Sequence, residues 1–370
     1  MRILMLVSND VVHDSRILKE AKALRAAGHT VAFIGWDRSG GEPARTMWDG
    51  FDIYLVKTEG LMRLLGKDLF RNPLWWRRAV SIARHLAFDV VHCHDLDTLP
   101  IGIRLKEIAG TPIVYDAHEV FGYMIETDVP RPVVDYVFRM ERRLAPQADM
   151  VIAVNEAVKE YIDRVSGHDS IVVRNSHELT LDAYRPPPGP PFTVIYLGTL
   201  HISRFILQAI EVVGEMPDVR LVLGGSKKLT PIVRERCARH SNTPFLGVVP
   251  NERVLPMTLD SHTVLAMLDP AHRISKVGIS NKMFEAMVTG RPCIVTEGLL
   301  MAEIVEREDC GLMVPYTNAG FRGAIERLRD DPSLAERLGR NGLEAAKREY
   351  NWGAEQTRLV RAYEGLTGRS

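Results

Sequence analysis

Apolar residues in this chain come in short runs, separated by stretches that repeat at a helical spacing. In the first half, β-rich runs read at Arg2–Ser8, Thr30–Trp36, Phe51–Val56, Val90–His94, Pro112–His118, Met150–Asn155 and Ile171–Ser176. After the first of these, Ile17, Ala21 and Leu24 share one face of a predicted helix that stops at Gly28. A second series follows, with strands predicted at Phe192–Gly198, Val219–Gly225, Thr243–Val249, Thr263–Asp269, Pro292–Thr296 and Gly311–Tyr316. Continuous apolar strands alternating with helices predict parallel sheets covered on both faces. Tyr184–Pro191, YRPPPGPP, reads as a linker, since proline is excluded from helix interiors and central strands. The pattern therefore predicts two α/β domains. Ligands of such sheets bind outside the carboxyl ends of the strands, and with two domains the site is expected in the cleft between them.

Composition narrows the function classes. The 370 residues are 46% hydrophobic, enough for two well-cored domains. The formal net charge is +0, so there is no global basic field and no nucleic-acid partner is expected. Cys93, Cys237, Cys293 and Cys310 lack metal-ligand spacing, and three of them sit in or beside apolar strands, as buried thiols of a reducing compartment do. The start, MRILMLVSND, is apolar for too few residues to be a signal peptide, and no apolar run approaches bilayer length. A cytoplasmic protein is expected.

The first strand is followed by Ser8–Arg16 and not by G-x-G-x-x-G, which counts against a dinucleotide oxidoreductase. Walker and H-E-x-x-H motifs are absent. Asp95-Leu96-Asp97 spells D-x-D, a pattern that can hold a divalent ion. Asp97 also precedes Thr98-Leu99-Pro100, where a carboxylate caps a helix; no metal site is assigned.

The densest information lies in SNKMFEAMVTGRPCIVTEGLLMAEIVEREDCGLMVPY, residues 280–316. A helix carrying Glu285 runs into Gly290 and Pro292, then a strand at Cys293–Thr296, a helix from about Met301, and a strand at Gly311–Val314. The free amides and positive dipole at the start of the Glu285 helix suit an anionic diphosphate. Gly278 lets the backbone approach closely, Ser280 can cap or donate, and Lys276 and Lys282 flank the turn. Arg204 follows the strand ending at Gly198. Gly198, Gly224 and Gly247, near strand ends, either line a pocket or make ordinary turns.

This order, with Ala302-Glu303-Ile304-Val305 after it, resembles the nucleotide-sugar half of the retaining glycosyltransferases of family 4. The resemblance implies the GT-B fold: two Rossmann-like domains facing across a cleft, with a C-terminal helix crossing back to the first domain. It places an acceptor domain at 1–180 together with 354–370, and a donor domain at 190–350. In that family the Glu matching Glu285 holds the ribose hydroxyls, and the basic residue matching Arg204 contacts phosphate. Lys282 and the Gly278-Ile279-Ser280 turn complete the implied phosphate site. Asp116-Ala117-His118-Glu119 is similar to a D-x-H-E/D signature whose His reaches the donor sugar. Asp14 and Arg16 resemble a D-x-R element of the first loop; a local ion pair capping the first helix is the other reading. The implied reaction moves a sugar from a nucleoside diphosphate sugar to a glycan, lipid-linked or small-molecule acceptor, with retention, no metal and no cofactor. Three positions depart from the family: Val277 where a second Glu touches the sugar, Thr199 where another Arg is common, and a first loop without the glycine pair. Val277 keeps two alternatives open: an epimerase or hydrolase of the same fold, and a non-catalytic nucleotide-sugar binding protein.

Leu61–Arg84, LMRLLGKDLFRNPLWWRRAVSIAR, mixes six basic residues with Leu, Phe and Trp around one acid. It reads either as a core-facing helix pair or as a peripheral contact with an anionic membrane face.

Overall fold

The computed structural model describes all residues except 10, 13, 38–40, 58–72 and 368–370. It divides into two compact units, Met1–Arg174 with Gln356–Ser370, and Asn175–Glu355.

The first unit is built on β1 (Arg2–Leu6), β2 (Thr30–Asp37), β3 (Arg45–Trp48), β4 (Phe51–Lys57), β5 (Val90–His94), β6 (Ile113–Ala117), β7 (Met150–Ala153) and β8 (Ile171–Val172). Their order in the sheet is β3-β4-β2-β1-β5-β6-β7-β8. Neighbours are parallel except β3 and β4, an antiparallel edge pair of which the hydrophobic pattern predicts β4 but not β3. The order reverses between β1 and β5, so the loops after these strands diverge at the place where open α/β sheets bind ligands. Every residue of β5 and β6 is buried, which is why both read as continuous apolar runs despite His92, His94 and Asp116. The first helix, Ser15–Ala26, starts at Asp14, whose carboxylate accepts from the Ile17 amide at 3.4 Å.

Of the Leu61–Arg84 stretch, residues 61–72 lie outside the described ones. Pro73–Ala83 is a helix that buries Trp75, Ala79 and Ala83. Trp75 stacks on Trp36 with ring centroids 5.3 Å apart, and Trp76 donates to the Asp97 carbonyl at 2.9 Å. Both tryptophans are thus engaged inside the unit, while Arg77 and Arg78 are exposed. Among the described residues no helix is long and apolar enough to cross a membrane.

The second unit holds β9 (Phe192–Leu197), β10 (Val219–Gly224), β11 (Thr263–Leu265), β12 (Cys293–Thr296) and β13 (Gly311–Val314), all parallel, in the order β10-β9-β11-β12-β13. The strand predicted at Thr243–Val249 does not form. Only Phe245 bridges, to Leu223, because Pro244 lacks a donor and Gly247 turns the chain at φ +69°. YRPPPGPP groups with this unit, where Tyr184 lies 4.6 Å beneath the Arg340 guanidinium. The helix Asn281–Thr289 is capped by Ser280 and ends at Gly290 in the left-handed conformation, φ +64°. It buries every residue from Lys282 onward. Phe284 packs on Tyr350, and burying a side chain of that size contributes about 1.5–3 kcal/mol.

The last helix, Trp352–Thr367, belongs to the second unit up to Glu355 and to the first from Gln356. Trp352 is buried and its amide donates to the His177 carbonyl at 2.9 Å. All four cysteines are free and buried.

Candidate functional site

The residues singled out in the sequence fall into two sets, one in each unit. In the second unit, Arg204, Ser280, Lys282 and Glu285 converge on the start of the Asn281–Thr289 helix. A single turn of 3₁₀ helix, Ile202–Arg204, after β9 brings Arg204 there, and its Nη1 donates to Ser280 Oγ at 3.3 Å. Ser280 Oγ in turn accepts from the Lys282 amide at 3.4 Å, satisfying one of the free donors of the helix start. Lys282 and Glu285, one turn apart, form a buried ion pair through Lys282 Nζ and Glu285 Oε1. His177 Nε2 lies 3.6 Å from the same carboxylate oxygen. Burial pushes the Glu285 carboxyl above its usual range, while Lys282 pulls it back.

Glycine shapes this site at two places. A Cβ on Gly198 would stand 3.1 Å from Lys282 Cε, so the glycine leaves the lysine its course along the end of β9. A Cβ on Gly278 would stand 2.8 Å from the Ile274 carbonyl oxygen, the same atom that accepts the Gly278 amide at 2.8 Å. Ile279 follows, partly buried, and Lys276 is exposed at the end of the short helix Arg273–Val277. Gly247 accepts from the Gly225 amide at 2.6 Å through its carbonyl, beside exposed Leu246 and Val248. The whole set gathers cationic groups, backbone turns and one carboxylate at the carboxyl ends of the strands.

In the first unit the central object is a buried charge cluster. Arg16, near the start of the first helix, points inward. Its Nη2 lies 3.0 Å from Asp116 Oδ1, its Nε lies 2.9 Å from Glu20 Oε1, and its Nη1 donates to the Val173 carbonyl at 3.2 Å. Asp14 caps the helix instead and accepts from Asn9 Nδ2 at 3.0 Å. His118 Nε2 stands 3.0 Å from Asp116 Oδ2 and 3.1 Å from His94 Nδ1. His92 stacks on His94 with centroids 4.2 Å apart and meets the Tyr363 hydroxyl at 2.6 Å through Nδ1.

The electrostatics follow from this packing. Burial opposes charge on Asp116, but Arg16 and His118 overcome it and hold the carboxyl well below the usual range. Glu20 is pushed up to about 8 by burial and by the Asp116 charge, with Arg16 pulling the other way. His94 is driven well below its ordinary value, mainly by burial. Burial also opposes charge on His118, yet Asp95 and Asp116 raise it to about 10. Asp95 is itself raised to about 7, chiefly by burial. Glu20, His92, His94 and Asp116 bring potential metal-ligand atoms within 4.8 Å of one another. Arg16 already binds both carboxylates, so a cation placed there would meet a guanidinium at contact distance.

Glu20, His92, His177 and Tyr363 are absent from the residues read out of the sequence. For Glu20 a signal exists: it is three residues from Ile17 and four from Leu24, on the face that Ile17, Ala21 and Leu24 turn to the core.

Comparison with known proteins agrees with this architecture. Residues 15–181 match the model described as Glycosyltransferase Family 4, and residues 191–331 match the model described as Glycosyl transferases group 1. A glycogen synthase of Mycobacterium tuberculosis is 22% identical over 370 residues, covering 92% of this chain and 88% of that protein. A phosphatidyl-myo-inositol mannosyltransferase of the same organism is 23% identical over 377 residues, covering 96% of this chain and 93% of that one. Among solved structures, sucrose-phosphate synthase from Thermosynechococcus elongatus superposes with a TM-score of 0.81 at 18% identity, covering 100% of both chains. Anabaena HepE in complex with UDP gives 0.72 at 15% identity, covering 99% of this chain and 100% of that one. The two family models lie end to end along the chain, each over one of the two parallel sheets, and the chain belongs to the family 4 glycosyltransferases of the GT-B fold.

Proposed function

We propose that this glycosyltransferase moves a sugar from a nucleoside diphosphate sugar to a glycan, lipid-linked or small-molecule acceptor, with retention of configuration and without a metal ion or cofactor. The observation that carries the reading is the convergence of Arg204, Ser280, Lys282 and Glu285 on one helix start. Arg204, Lys282 and the Ile279 and Ser280 amides stabilise the leaving diphosphate, as preorganised donors do where charge develops, while Gly278, whose amide is taken by the Ile274 carbonyl, lets the backbone approach. Glu285 takes the ribose hydroxyls; an ionised carboxylate accepts two such protons. Bringing a nucleotide in requires Lys282 to turn from Glu285 toward phosphate. His118 serves the donor sugar. Arg16 acts behind it through Asp116, and Asp14 holds the helix that carries Arg16. The HepE complexes with UDP and with UDP-glucose support a uridine nucleotide as the first donor to try.

Thermal shift with UDP-, GDP-, ADP- and dTDP-sugars tests the reading, because a ligand of the folded state raises its melting point by mass action. One nucleotide class should stabilise the protein, and diphosphate should then be released only with an acceptor present. Diphosphate release without acceptor would point to the hydrolase alternative, and absence of any shift would remove the donor site.

A further inference from the structure

His118 is held from both sides. Its Nε2 stands 3.0 Å from Asp116 Oδ2, and its Nδ1 stands 3.4 Å from Asp95 Oδ2. Asp95 makes a second contact: its Oδ1 accepts from the His118 backbone amide at 3.2 Å. One carboxylate therefore fixes both the backbone and the ring of the same histidine.

Asp95 reaches this position through an unusual backbone. It sits just past the end of β5 with φ +63°, in the left-handed region that non-glycine residues avoid and that aspartate tolerates better than most. Its amide donates to the Asp116 carbonyl at 2.9 Å, and its carbonyl accepts from Thr98 Oγ1 at 3.1 Å. A conformation held on both sides in this way marks a residue whose placement is used.

We propose that Asp95 is a positioning residue for sugar transfer: with Asp116 it clamps both ring nitrogens of His118, making the ring a fixed cation without a lone pair for proton abstraction. The proposal rests on the placement of His118 at the donor sugar given above. Its chemical content is an exclusion. A protonated ring with Nε2 hydrogen-bonded to one carboxylate and Nδ1 ion-paired with a second stabilises negative charge on a substrate but does not deprotonate an acceptor hydroxyl. That proton must go elsewhere, and the leaving phosphate is the base the proposed reaction supplies.

The groups around the ring bear this out. After β5 stand Asp95 and Asp97, and around β6 stand Asp116 and Glu119, all acids. Arg16 opposes them, but its guanidinium is committed to Asp116 and Glu20. Glu20 and His92 are buried at the back of the cluster and His94 Nδ1 lies 3.1 Å from His118 Nε2; burial favours the neutral forms of all three. The Asp95 side chain is 27% exposed and Asp116 is fully buried, so Asp95 is the jaw that solvent and substrate can reach.

The test is a ring titration by NMR on the full-length protein with labelled histidine, the His118 signal assigned from its loss in His118→Gln. His118 should stay protonated through about pH 8, where an ordinary histidine is neutral. In Asp95→Asn its midpoint should fall by about one pH unit, a tenfold loss in proton affinity. In the same variant the pH profile of kcat/KM should gain a decline at that lower midpoint. A wild-type midpoint near 6.5, or one that Asp95→Asn leaves unmoved, overturns the clamp. Wild-type turnover in His118→Gln would instead overturn the placement of His118 at the sugar, a result separable from the titration.

Discussion

The Arg16 guanidinium lies 3.0 Å from the Asp116 carboxylate, 100 residues away in sequence, and both side chains are buried. The pair joins the first helix to β6 beneath His118. Truncating the arginine strands the Asp116 carboxylate away from water and leaves the Glu20 carboxyl without its partner. Breaking one side of a buried pair costs about 3–5 kcal/mol. Arg16→Met should lower the free energy of unfolding by that order in a urea titration. A loss under about 1 kcal/mol would mean that the cluster rearranges to satisfy its acids without Arg16.

Glu285→Gln should weaken nucleotide-sugar binding by about 1.5–3 kcal/mol, the contribution of hydrogen bonds to a charged group. The variant also frees Lys282 from its ion pair, so part of the loss is offset on the phosphate side. Calorimetry with the donor found by thermal shift measures the balance. Unchanged affinity would take Glu285 out of the site.

Arg204→Ala should lower turnover more than it lowers affinity for the nucleotide alone, because charge on the leaving diphosphate grows toward the transition state. Excess EDTA should leave the wild-type rate unchanged. Activity lost in EDTA and restored by magnesium or manganese would revive Asp95 and Asp97 as a metal-binding pair.

Stability should depend on pH with a definite sign. Glu20, raised to about 8, and His118, raised to about 10, each bind their proton more tightly folded than unfolded. Such groups contribute stability that is complete below their unfolded pKa values and is lost as pH rises through the folded ones. Asp116, held low, acts in reverse and loses its contribution only in strong acid. His92 and His94, held low by burial, act the other way below about pH 6.5, so the melting temperature should fall from about pH 6.5 to pH 10. Glu20→Gln should flatten the portion up to about pH 8. A melting temperature that rises across this range would contradict the buried cluster's ionisation.

Much of this was legible in the sequence where the signal is local. Val90–His94 and Gly311–Val314 form the strands that their apolar runs predict. Ser280, Lys282, Glu285 and Gly290 lie within one helix and its caps, so their juxtaposition follows from spacing alone. Thr243–Val249 misled because its apolar content outweighed Pro244 and Gly247 in the reading, while the backbone obeys the proline and glycine. β3 was missed because Arg45-Thr46-Met47-Trp48 is short, edge-placed and half exposed. The Arg16–Asp116–His118 cluster was illegible for a different reason. It joins the first helix to the end of β6, 100 residues away in sequence, and no local spacing pairs the two.

The tail of the chain has a consequence for how such proteins can be rearranged. The last helix starts in the second unit, yet Tyr363 near its end closes the His92 ring of the first with a 2.6 Å hydrogen bond. The first unit is therefore written in two separate pieces of the gene. A single crossover that exchanged everything after Arg174 for the matching part of another protein would bring in a foreign tail, and His92 would lose its phenol. Chimeras joined at one point should melt lower than those that keep residues 356–370 with 1–174, unless the incoming tail carries a tyrosine in register.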